Sequence, residues 1–96
     1  MKQLTTSELK EVIAITFSQP FEDLISRKFA ENNYAKYLFI KYSRDKGMSF
    51  AIIARHLNMS YVAAARYMTS EYVPDKYVVE LFHNRFNSFL NSKINK

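Results

Sequence analysis

Apolar residues at Leu9, Val12, Ile13 and Phe17 recur at three- and four-residue steps, and this spacing predicts a helix over residues 6–17. Thr5, with Glu8 three residues later, forms a capping-box pattern that opens it. Ser18-Gln19-Pro20 interrupts the pattern. Pro20 suits the first turn of a short second helix ending near Arg27, with Glu22 and Asp23 near its positive end. Asn32 or Asn33 is then expected to cap a longer helix running to about residue 46, with Tyr34, Tyr37, Leu38 and Tyr42 inward. Gly47 ends that helix.

Residues 49–69 carry the most informative pattern. Phe50, Ile53, Ala54 and Leu57 define one apolar helical face, opened by Ser49 as cap. Asn58 stands where a helix-turn-helix needs a residue of positive φ, which asparagine tolerates better than most. Met59 is the apolar residue of the turn, and Ser60 can cap a second helix. On that helix Ala64, Tyr67 and Met68 face the first, while Tyr61, Val62, Ala65, Arg66 and Thr69 point outward. This outer surface has the form that enters a major groove. After a turn at Val73-Pro74, Asp75 caps a last helix over about residues 75–91, apolar at Val78, Leu81, Phe82, Phe86, Phe89 and Leu90. Residues 92–96 are expected to fray.

One glycine and two prolines leave little scope for hairpins. The expected fold is all-α: a single domain over residues 1–96, a bundle of about six helices containing a helix-turn-helix. A chain of this length can bury roughly 60–65% of its unfolded surface, and with 48% apolar residues it can do so without staples. The absence of cysteine excludes disulfides and thiolate metal sites and fits a cytoplasmic protein. No apolar run reaches the length of a membrane span, so no membrane partner is expected.

The formal charge is +5, unevenly placed. Residues 27–66 hold eight basic and two acidic side chains, a balance of +6, while the rest of the chain is −1. Positive charge gathered around the helix-turn-helix pattern fits attraction to phosphate. No nucleophile–base–acid spacing, Gly-rich phosphate loop or histidine pair is present, so neither enzyme chemistry, a small-molecule substrate, a cofactor nor a metal is expected. His83, inside the last apolar helix, reads as structural, and His56 lies beside the core face of its helix.

The run Ser7-Glu8-Leu9-Lys10-Glu11-Val12-Ile13-Ala14 is followed by Phe17-Ser18-Gln19-Pro20-Phe21-Glu22-Asp23-Leu24-Ile25-Ser26-Arg27-Lys28. With Ala35-Lys36-Tyr37-Leu38 and residues 49–57, it resembles the C-terminal DNA-binding domain of the bacterial chromosomal replication initiator, the DnaA family. That domain is a helical fold related to the Trp repressor. The resemblance implies that Arg27 and Lys28 contact the DNA backbone and minor groove. It also implies that Lys36 stands where the family has an arginine. The likeness departs at Asn58-Met59-Ser60-Tyr61-Val62-Ala63-Ala64-Ala65, where the family's arginine, aspartate, histidine and threonine readers are missing.

The expected partner is double-stranded DNA, bound in replication control or transcriptional regulation. Arg66 is the long basic donor on the outer face, able to read guanine by its fork. Tyr61 and Ser60 can reach phosphate, and Val62 and Ala65 offer apolar contact to thymine methyls. Arg27, Lys28, Lys36 and Arg55 are expected on phosphates, which position the protein without reading sequence. Roughly six such contacts would give log K a salt slope of about −5. The alternative is a protein-interaction domain, for a regulator or a second copy of the chain, that kept this scaffold but lost base reading. Its basis is the alanine-rich outer face with Ile52 beside it.

Overall fold

Four of the six helices among the described residues start on a side chain whose oxygen takes an otherwise unpaired amide. A computed structural model describes residues 3–94, and among these all regular structure is helical. α1 (Thr6–Phe17) opens on the full capping box, with Thr5 Oγ1 accepting from Glu8 N at 3.1 Å and Glu8 Oε1 from Thr5 N at 3.0 Å. It ends at Ser18, held in the left-handed region at φ 55°. α2 (Phe21–Ser26) follows, and Pro20 precedes it as N-cap rather than sitting inside its first turn. Its carbonyl accepts from Asp23 N and Leu24 N, a service that needs no N–H from the proline itself.

α3 (Ala30–Asp45) begins earlier than the two asparagines predict, with Phe29 at the N-cap. Asn32 is employed elsewhere: its Nδ2 donates to Leu24 O at 3.1 Å, satisfying the open C-terminal end of α2. α3 is the central rod, burying Tyr34, Ala35, Leu38, Phe39 and Ile40. Its end is a Schellman turn, with Met48 N bonded to Ser43 O, Gly47 N to Arg44 O, and Gly47 at φ 92°.

α4 (Phe50–Leu57) is capped by Ser49 and buries Ile53, Ala54 and Leu57. Asn58 adopts φ 53°, and Met59 N returns to Ala54 O at 3.0 Å, closing the tight turn. α5 (Tyr61–Arg66) starts on Ser60 and buries Ala64. α5 is shorter than its periodicity predicts. Tyr67, Met68 and Thr69 continue with bonds to residues three back, and the Thr69 hydroxyl donates to Arg66 O at 2.8 Å. That tightening rotates Met68 off the expected inner face, leaving it exposed.

α6 (Lys76–Ile94) is capped by Asp75, whose Oδ1 accepts from Tyr77 N and Val78 N. It runs past residue 91, tied to α1 by Lys93 and Glu11 at 2.8 Å and by Arg85 Nη1 to Thr16 O at 3.2 Å. Fraying expected at Asn95 and Lys96 lies outside the described residues. α6 packs onto α1 and α3 and buries Val78, Phe86 and Leu90, but Leu81 is 53% exposed and His83 is exposed too. Both fall off the stripe that α1 and α3 can cover. The Cα radius of gyration of 12.5 Å is about that of a close-packed chain of this length.

Candidate nucleic-acid interface

The linker between α2 and α3 is three residues long, Arg27-Lys28-Phe29, and every one of its side chains is exposed. Its shape is fixed from beneath. Lys36, on α3, is buried, and its Nζ donates to Arg27 O at 3.2 Å. Asn32, one turn earlier on α3, holds the end of α2. Phe29 O accepts from Asn33 N at 2.9 Å, which starts α3. The linker is therefore clamped at both ends by α3.

This corrects the expected role of Lys36. A side chain 6% exposed and bonded to a backbone carbonyl cannot extend to grip a phosphate outside the protein. The middle of α3 is buried around most of its circumference, so a lysine there lies under the linker instead of beside it. Burial, and secondarily the charge of Lys28, push its pKa below the usual lysine value.

A cleft of about 330 Å³ is lined by Lys28 and Lys36 together with Asn58, Met59 and Ala63, of the turn and α5. Lys28 of the linker and Ala63 of α5 thus border one cleft. α5 is fixed from behind by an aromatic seam. Tyr67 and Tyr72 approach at 4.8 Å, Tyr72 and Tyr37 at 5.4 Å, and the Tyr67 hydroxyl donates to Asn33 Oδ1 at 3.2 Å. Burial raises the pKa of both Tyr67 and Tyr72, so these hydroxyls stay protonated donors.

The outward face of α5 presents Tyr61 and Val62, each 57% exposed, with Ala65 half-buried and Arg66 in solvent. Arg66 Nε faces Glu71 Oε2 at 3.6 Å, an exposed pair that contributes at most about 1 kcal/mol and can exchange for another anion. Ser60 Oγ is committed to Ala63 N, so its role here is that of a cap. Thr69 does not share this face. It lies beyond α5, its hydroxyl occupied by Arg66 O and Glu71 N. Arg55 is exposed on α4, beside Ile52, which is also exposed.

Two contributors are not visible in residue patterns. The Arg44 guanidinium lies 4.5 Å from the centre of the Phe50 ring, and Tyr61 meets that ring edge-on at 5.8 Å. Arg44 also donates to Met48 O at 3.0 Å, so this cation is held beside the N-terminus of α5. Only the Schellman turn at Gly47 brings the end of α3 to this place. The other contributor is Phe29, an apolar residue among cations whose signal was its isolation from any apolar face.

His56 lies behind the interface, edge-on to Phe39 at 5.9 Å. Burial, and then the charge of Lys10, lower its pKa below the usual 6.5. The unfolded chain therefore takes up this proton at higher pH than the folded chain does. Its contribution is complete above pH 6.5 and is lost as pH falls below that value. Urea denaturation of the wild type and His56→Gln across pH should show midpoints that diverge in trend only on the acid side. A constant offset from about pH 8 to about pH 5 would contradict this origin.

Among the described residues no three His, Cys, Asp or Glu side chains gather as a metal site, and no helix is long and apolar enough to cross a membrane. Comparison with protein-family models, curated proteins and solved structures finds no match for this chain.

Proposed function

We propose that this chain is a double-stranded DNA-binding module, its scaffold resembling the replication initiator's C-terminal domain, serving replication control or transcriptional regulation in the cytoplasm. In this reading α4, the Asn58 turn and α5 form a helix-turn-helix, with α5 in the major groove. The observation that carries it is the gathering of Lys28, from the clamped linker, with Asn58, Met59 and Ala63, from the turn and α5, around one cleft, inside a segment of net charge +6. Arg27, Lys28, Arg44, Arg55 and Arg66 supply the phosphate attraction, and Lys36 supports them from below. Tyr61, Val62 and Ala65 offer mainly apolar contact, which favours thymine methyls over polar base edges.

With five such cations and Lys36 withdrawn, the salt slope of log K on duplex DNA is expected at about −4.5. Fluorescence anisotropy with labelled duplexes across a salt series measures it. Selection of bound duplexes from a random pool then tests for a preferred sequence. Binding to no duplex, or binding indifferent to salt, would refute the proposal.

The exposed Ile52, Tyr61 and Val62 favour a second reading, a surface that docks a protein partner or a second copy of the chain. Arg66→Ala separates the two. Under the first reading it weakens duplex binding by about tenfold, and more on a preferred site if the arginine reads guanine. Under the second, duplex behaviour is unchanged and sedimentation shows altered self-association or partner binding.

A further inference from the structure

Phe29 occupies a position where the fold gains nothing from it. At the N-cap of α3, a serine, threonine, aspartate or asparagine would accept an amide of the first turn, and phenylalanine cannot. Nor does it contribute to the core: its side chain is 59% exposed and lies outside the buried cluster. Its backbone is nonetheless well defined, extended at φ −76°, ψ 157°. Two side chains more than nine-tenths buried set the path that leads to it: Asn32 donates to Leu24 O at the end of α2, and Lys36 donates to Arg27 O, two residues before the ring. Burying an ammonium to hold a surface linker is costly, so the shape of that linker is specified beyond what a connection between helices requires. The result is an exposed phenyl ring carried on a rigid loop directly after two exposed cations.

We infer that Phe29 is a wedge that enters between two base pairs of bound duplex and kinks it, while Arg27 and Lys28 hold the phosphates flanking the opened step. This inference rests on the duplex-binding reading above and deepens it. A base step is the occupant that this chemistry fits. The cations require an anionic partner, and the ring requires an apolar, flat surface within that partner. Stacked bases between phosphates present both, and apolar side chains inserted from the minor groove unstack and bend DNA in this manner. Lys28, next to Phe29 in the linker, lines the same cleft as Ala63 of α5, so with α5 in a major groove the linker lies beside it, where the adjoining minor groove would run.

The test compares wild type, Phe29→Ser and Phe29→Leu on a selected duplex. End-to-end energy transfer reads the bend, and 2-aminopurine placed along the site reads unstacking. Phe29→Ser supplies the missing cap, so its melting temperature should equal or exceed that of the wild type. Against that, it should lose the bend and the 2-aminopurine signal and bind on the order of tenfold more weakly with an unchanged salt slope. Phe29→Leu, still an apolar wedge, should retain most of the bend. If the wild type binds duplex without bending it, or Phe29→Ser bends it equally, the wedge is refuted and the duplex-binding reading stands. Tighter binding of the single strand than of the duplex would also refute it, in favour of simple base stacking. If the wild type binds no duplex, both readings fall together.

Discussion

Phe86→Ala is expected to remove about 3–5 kcal/mol of folding free energy, among the largest losses open to a single substitution. The ring is 1% exposed and packs against Tyr42 with centroids 5.3 Å apart, so α6 is keyed to α3 through it. Truncation removes the transfer energy of the ring and leaves a space that rigid α1 and α3 cannot close. A domain of this size has a total stability of about 5–15 kcal/mol, so the variant should sit near its unfolding threshold at ambient temperature. Urea titration followed by circular dichroism measures it: the midpoint should fall sharply with the slope unchanged. Phe86→Leu, which keeps most of the volume, should lose far less. Near-wild-type stability of the alanine variant would mean that α6 is only loosely attached.

The second large effect is on binding. Arg27→Ala with Lys28→Ala removes two exposed cations from the clamped linker, and the charge of Lys28 opposes that of buried Lys36, so its loss does not weaken the clamp. At about 0.1 M salt each lost phosphate contact lowers affinity by roughly eightfold, so the double variant should bind about sixtyfold more weakly. Its salt slope should drop in magnitude by about 1.8, uniformly across duplex sequences, because phosphate contacts carry no base information. Anisotropy titrations at several salt concentrations test both numbers. Unchanged affinity at normal thermal stability would exclude this linker from the interface. Lys36→Met makes an informative companion. It replaces a desolvated ammonium by an apolar chain, so stability should hold or rise, while the loss of the bond to Arg27 O frees the linker.

What could be read from residues alone follows a physical division. Thr5 with Glu8, Ser49, Ser60 and Asp75 start helices as expected, because capping is settled within three residues of chain. Asn58 takes its left-handed turn for the same local reason. Asn32 has the composition of a cap, but the open end of α2 claims its amide, and that claim arises only after the chain folds back. Lys36 resembles a surface cation, yet its depth depends on where α2 crosses α3. Thr69 and Met68 continue the period of α5 on paper, while a hydroxyl bonded to Arg66 O ends the helix before them. Leu81 fits an apolar stripe that is wider than the surface its neighbours offer. The candidate interface was legible in its charge and its turn. Its supports, the clamp beneath the linker and the Arg44–Phe50–Tyr61 stack, depend on long-range proximity.

The two buried polar anchors on α3 have a mechanical consequence. Six residues are too few for α2 to persist unaided, but Phe21 and Leu24 seat it in the core and Asn32 meets its open end. Lys36 holds only the strap that follows. Loosening that one tether would let the strap move while the short helix stays seated.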